Sequence, residues 1–123
     1  MTLLTKRVYE PPSASDGKRY LIDRLWPRGV KKGNLLLTEW LKDLAPSPEL
    51  RVWFGHEPSK YSVFRRRYRA ELGRHPDLLD RLVREARSGA VTLLFAAHDA
   101  EHCNASVLRE LLVGRSRGPG KTD

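Results

Sequence analysis

A chain of 123 residues is long enough for one domain and too short for two. Hydrophobic residues at 40% and charged residues at 31% exclude both a disordered tail and a membrane bundle. Lys and Arg number 23 against 15 Asp and Glu, a formal charge of +8, and sixteen of those cations are arginine. The basic balance admits small anions, nucleotides or nucleic acid as partners and establishes none of them. The single cysteine, Cys103, excludes an internal disulfide framework and a zinc site built mainly of cysteine. It fits a reducing compartment, so a cytoplasmic protein is expected. The start MTLLTKRVYE has no apolar stretch of signal-peptide length, and no run approaches the ~20 apolar residues of a membrane span.

No internal repeat interrupts the chain. Leu3 to Tyr9 reads as a strand, favoured by Thr, Val and Tyr and stopped by Pro11-Pro12. A polar loop with Asp16-Gly17 as its turn leads to a second strand, Arg19 to Trp26. Its centre, Tyr20-Leu21-Ile22, is apolar on consecutive positions, as in a strand covered on both faces. Leu37, Trp40, Leu41 and Leu44 recur at helical spacing, and Pro46 ends that stripe. Ser47-Pro48-Glu49 is a helix start, with Leu50, Trp53 and Phe54 inside and Gly55 at the close. A longer helix runs from about Pro58 to Leu72 on the stripe Tyr61, Phe64, Tyr68, Leu72. The next begins at Pro76 and stops at Gly89. Val91 to Ala97 is apolar almost throughout, a central buried strand. A last helix spans roughly Glu101 to Val113. Residues 115–123 lack periodicity and are expected to form a flexible basic tail after a single domain at 1–114. The pattern predicts an α/β fold, with a small, mainly parallel sheet flanked by helices.

Two segments carry the chemistry. The first, from Asp23 to Lys32, leaves a buried strand with Arg24, Trp26, Arg28, Gly29, Lys31 and Lys32. Open α/β sheets bind ligands beyond the carboxyl ends of their strands. Arginines there suit phosphate or carboxylate, Gly29 permits close backbone approach, and Trp26 offers a stacking face. The same residues also fit a structural role, with Asp23 ion-paired to Arg24 or Arg7 and Trp26 in the core. The second segment, Ala97 to Asn104, follows the central strand and opens the last helix. Asp99 is its default N-cap. His98, Asp99, His102 and Cys103 are metal-ligand types; His56 could join them from elsewhere in the chain, but no second cluster completes a site, and neither metal nor cofactor is assigned. The run Arg65-Arg66-Arg67-Tyr68-Arg69 fits a solvated helix face better than a phosphate-binding stripe. No phosphate loop, dinucleotide fingerprint, zinc-protease or hydrolase motif occurs, and no recognition helix is evident.

These residues resemble the YeaO-like family, small bacterial proteins classed as a domain of unknown function. The match runs through Lys6-Arg7-Val8-Tyr9, Tyr20-Leu21-Ile22-Asp23-Arg24-Leu25-Trp26-Pro27-Arg28-Gly29, Glu39-Trp40, Ala45-Pro46-Ser47, Glu49-Leu50-Arg51 and Val91-Thr92-Leu93-Leu94. It covers about residues 4 to 113, and the Asp-Arg-Leu-Trp-Pro-Arg-Gly run is its most specific part. The resemblance implies a compact α/β domain of the bacterial cytoplasm and brings no activity with it. Members often carry Asn-His or Asn-Asn where this chain has Cys103-Asn104; this departure puts the role of a ligand-binding asparagine in doubt at Cys103, and Asn104 is expected to keep part of it.

Two expectations follow. One is a small phosphorylated or carboxylated ligand held at the strand ends by Arg7, Asp23, Arg24, Trp26, Arg28, Gly29, Asp99 and Asn104. The other is a basic module that binds nucleic acid weakly and in a salt-dependent way. Spacing alone sets no nucleophile–base pair and no oligomeric state, so no reaction is assigned.

Overall fold

The computed structural model describes residues 1–117. Four strands, β1 (Thr2–Arg7), β2 (Lys18–Leu21), β3 (Glu39–Trp40) and β4 (Ala90–Phe95), form one sheet in the order β1-β4-β2-β3. Every pair is parallel. Four helices accompany it: α1 (Pro48–Phe54), α2 (Tyr61–Leu72), α3 (Pro76–Ser88) and α4 (Asn104–Ser116). The expected α/β domain with a parallel sheet is therefore the observed one. Among the described residues no helix is long and apolar enough to cross a membrane.

The sequence of β4 explains its central place. Val91, Leu93 and Phe95 join the main core with the helices, while Leu94 packs on the opposite face with Val8, Leu21 and Leu35. A strand apolar on both faces is stable only between two covered surfaces. The helices supply one cover. The other comes from non-helical chain around Leu35 and Leu37, with Trp26 and Trp40. The connection from β1 to β2 has no helix beyond a single turn at Ala14–Asp16, although the two strands run parallel on either side of β4. Gly17 is required there: its φ is +64°, and a Cβ would stand 2.1 Å from the carbonyl oxygen of Ala90.

Beside that glycine lies a buried ionic network. Asp16 accepts hydrogen bonds from Lys6 Nζ at 2.9 Å, from the Ser13 N–H at 3.0 Å and from Arg19 Nη1. Arg19 also donates from Nε and Nη2 to the carbonyl of Leu35, at 3.1 and 2.8 Å. Thr92, buried in β4, donates its hydroxyl to the Asp16 carbonyl at 2.7 Å.

Three expectations are corrected. The stripe Leu37, Trp40, Leu41, Leu44 forms no α-helix: Glu39 and Trp40 make β3, and only Lys42–Leu44 close one tight turn. The free edge of β2 decides this, because its carbonyls at Arg19 and Leu21 accept the N–H groups of Thr38 and Leu41, both at 2.8 Å. Leu41 and Leu44 still reach the main core, while Leu37 and Trp40 go to the second face. Next, α4 begins at Asn104 with Cys103 as its N-cap, not at Glu101 behind Asp99. Asp99 instead closes a separate turn, accepting from the N–H groups of Glu101 at 3.0 Å and His102 at 3.1 Å. Finally, α4 continues through Arg115 and Ser116, which the sequence reading gave to the tail. Arg115 bonds Asp80 at 2.8 Å, and Ser116 is buried against Arg87. The rest of that expected tail, 118–123, lies outside the described residues.

Candidate functional site

The carboxyl ends of β2 and β4 open into a cleft of about 660 Å³. Asp23, Arg24, Trp26 and Arg28 reach it from the chain leaving β2. Ala96 to Asp99, with Cys103 and Asn104, enter from the chain leaving β4. Arg51, Phe54 and His56 come from α1 and the turn after it, and Phe64 from α2. This is where a parallel sheet with crossed connections leaves room for a ligand.

Asp23 ties these pieces together. One carboxylate oxygen accepts from the backbone N–H of Ala96 at 2.9 Å and the other from the side-chain amide of Asn104 at 2.8 Å. The same amide donates to the Ile22 carbonyl at 3.0 Å, and Asn104 Oδ1 accepts from the Ala105 N–H at 2.9 Å. Trp40 donates its indole N–H to the Asp23 carbonyl at 2.6 Å. Burial pushes the Asp23 carboxyl above the usual range. The bonds from Asn104 and Ala96 and the positive charges of His56 and Arg51 offset that only in part.

Arg24 and Arg28 share the cleft. Arg24 makes a long contact, Nε to the Pro46 carbonyl at 3.4 Å. Arg28 has an exposed side chain, and its carbonyl accepts a hydrogen bond from the Tyr9 hydroxyl at 3.0 Å. Trp26 lines the wall, its indole N–H donating to the Val30 carbonyl at 2.7 Å and its ring edge-on to Trp40 at 5.4 Å. Arg7 and Gly29 stand outside the lining. Arg7 secures the exit of β4, with Nε to the Ala97 carbonyl at 2.9 Å and Nη2 to the Ala96 carbonyl at 3.2 Å. Gly29, at φ +79°, shapes the turn that presents Arg28.

Asp99 faces the cleft but is engaged, its second oxygen 2.9 Å from His102 Nδ1. Partial burial acts to raise its pKa, and the bonds from His102 and from two N–H groups outweigh this and hold it low. Cys103 is buried, with Sγ 3.6 Å from the Ala100 carbonyl, and burial pushes its thiol up. That environment does not favour a reactive thiolate. Among the described residues no three His, Cys, Asp or Glu side chains are grouped to hold a metal ion.

Sequence reasoning did not place Arg51, Phe54 or Phe64 in the site, and it named His56 only as a possible metal ligand. One signal was present: the Phe54-Gly55-His56 run ends a helix beside an arginine. Its consequence lies in backbone geometry, because Gly55 and His56 both adopt positive φ, 53° and 58°. Such a conformation is uncommon outside glycine, and His56 lines the cleft from it. The arginine run on α2 is divided. Arg65 and Arg69 bind Glu110 of α4, and Arg67 stacks 4.7 Å above Trp53.

The fold and cleft define a small α/β protein with a basic pocket at the carboxyl edge of a parallel sheet. Over residues 2–118 the chain matches the family described as "Inactive DUF488-N3 subclade", and it belongs to that family. It is 46% identical over 112 residues to the uncharacterized protein YeaO of Escherichia coli (strain K12), a span of 91% of this chain and 97% of that one. It is 40% identical over 109 residues to the uncharacterized proteins Mb3100c of Mycobacterium bovis and Rv3073c of Mycobacterium tuberculosis, covering 89% of this chain and 92% of theirs. No solved structure matches the chain.

Proposed function

We propose that the protein binds a small anionic ligand, phosphorylated or carboxylated, in the cleft at the carboxyl ends of β2 and β4. The observation that carries this reading is the convergence of Arg24, Arg28 and Arg51 on one concave site with apolar walls at Phe54 and Phe64. Arginine forks match the oxygens of phosphate and carboxylate, and hydrogen bonds to charged groups are worth about 1.5–3 kcal/mol each. Binding without turnover is the simpler reading. The only thiol is buried and raised in pKa, and the imidazole of His102 is held by Asp99. The word "inactive" in the family description agrees with it.

Thermal shift with inorganic phosphate, sulfate and citrate tests the reading. A ligand at a hundred times its Kd stabilises the native state by about 2.7 kcal/mol. The expected result is a rise in Tm with at least one anion, absent in the Arg24→Ala/Arg51→Ala double variant. A shift retained in full by that variant, or none with any anion, would refute the proposal.

A further inference from the structure

Two carboxylates of this fold, buried Asp16 and half-buried Asp23, are treated in opposite ways. Asp16 has two cations in contact, Lys6 and Arg19. Asp23 has none: among the described residues it makes no salt bridge, and its partners are a neutral amide and a backbone N–H. Yet Asp23 faces the cleft and Asp16 does not. A carboxylate has about four lone-pair positions, and here one on each oxygen is taken. The partners of Asp23 are donors only, which holds it as an acceptor. It therefore has acceptor capacity left and no counter-charge in contact.

We propose that the ligand of this cleft carries a protonated amine as well as its acidic group, and that Asp23 receives the amine. This rests on the anion-binding reading above and deepens it to a class: an amine-bearing phosphate or carboxylate with an apolar spacer. The arginines take the acidic end, Phe54 and Phe64 flank the spacer, and the ammonium supplies the positive charge that the protein places beside Asp16 but withholds from Asp23. The surrounding cations Arg24, Arg28 and Arg51 repel a simple amine, so the amine gains entry only when attached to an anion. Burial keeps Asp23 partly protonated further above the ordinary carboxylate range, so the amine contact strengthens as pH rises through its raised pKa.

The test compares ω-aminoalkyl phosphates of two to six carbons with the alkyl phosphates of equal length, by isothermal titration calorimetry. The expected result is binding at least tenfold tighter for the amine at one or more lengths. Asp23→Asn should abolish that difference. Because Asp23 also anchors Asn104 and Ala96, a second arm uses the unaltered protein. The preference for ω-aminoalkanesulfonates over alkanesulfonates, whose charge is constant, should vanish in acid as Asp23 protonates. Equal or weaker binding of the amines at every length would overturn the amine site and leave anion binding standing. Failure of both series and of inorganic phosphate would overturn anion binding itself, and the amine site with it.

Discussion

Arg28 gives the fold its backbone carbonyl, and among the described residues its guanidinium makes no hydrogen bond or ion pair. Its replacement by alanine should leave stability within about 0.5 kcal/mol of the parent, as for other exposed positions. The same variant should lose much of the phosphate-induced rise in Tm, and paired melting curves with and without phosphate read both effects. A loss of several kcal/mol with no ligand effect would instead make Arg28 structural. Asp16 and Asp23 pull pH dependence in opposite directions. Burial acts to raise the pKa of Asp16, but the bonds from Lys6, Ser13 and Arg19 outweigh it and hold it low. Its stabilisation is present above the unfolded value of about 3.9 and is lost as pH falls through the folded pKa. Asp23 titrates higher in the folded state than in the unfolded chain, so its ionisation weakens the fold as pH rises from about 3.9 through its raised pKa. Urea midpoints measured from pH 2 to 7 should therefore show a shallower acid limb for Asp16→Asn and a steeper one for Asp23→Asn. At neutral pH Asp16→Ala should cost about 3–5 kcal/mol, because Arg19 is left buried without its counter-charge.

Strand β3 is two residues long, but it fixes the second face of the sheet. Trp40 packs on Trp26, lies under Lys42 at 4.0 Å and holds the Asp23 carbonyl. Trp40→Ala should destabilise by about 3 kcal/mol, the low end for buried aromatics because the ring is half-exposed. Trp40→Phe should recover most of that and lose only about 1 kcal/mol for the missing hydrogen bond. Chemical denaturation of the pair separates packing from bonding, and equal losses in both would contradict this division. Trp40 is also where local pattern misled. A spacing of 3, 4 and 7 is satisfied equally by a helix and by a short segment whose residues part to two faces, and only pairing with β2 distinguishes them. Elements with their own punctuation were readable: Ser47-Pro48 and Gly55 bound α1, Pro76 starts α3, and the apolar run of β4 declares a central strand. The site was readable where it lies on one contiguous run, Asp23 to Arg28. Arg51, His56 and Phe64 are far from that run in sequence, and nothing local shows that α1 and α2 close one side of the cleft. The strand-end position of Arg7 points to the site, but its guanidinium is held by the Ala96 and Ala97 carbonyls just past β4.

At the scale of the molecule, a charge of +8 attracts any polyanion. The densest basic run is partly neutralised, since Arg65 and Arg69 converge on Glu110. Binding to random duplex DNA should therefore be weak, and its log Kd against log salt should have a slope of only a few units, at about 0.9 per phosphate contacted. Fluorescence anisotropy at 50 and 200 mM salt measures it. Affinity that survives the higher salt and depends on sequence would require base contacts, and this prediction would then be wrong.

The order β1-β4-β2-β3 also has a consequence in time. The last strand in the chain is the middle of the sheet, pairing Thr2–Arg7 on one side and Lys18–Leu21 on the other. As the polypeptide emerges during synthesis, the first 89 residues can join strands only at the two-residue contact of β2 with β3. Helices α1 to α3 are then complete but have no floor to pack on. The sheet can close only after Ala90–Phe95 has emerged to pair with both neighbours. A ribosome stalled just before Ala90 should display a protease-sensitive chain, and one stalled far enough past Ser116 to clear the exit tunnel should display a resistant domain.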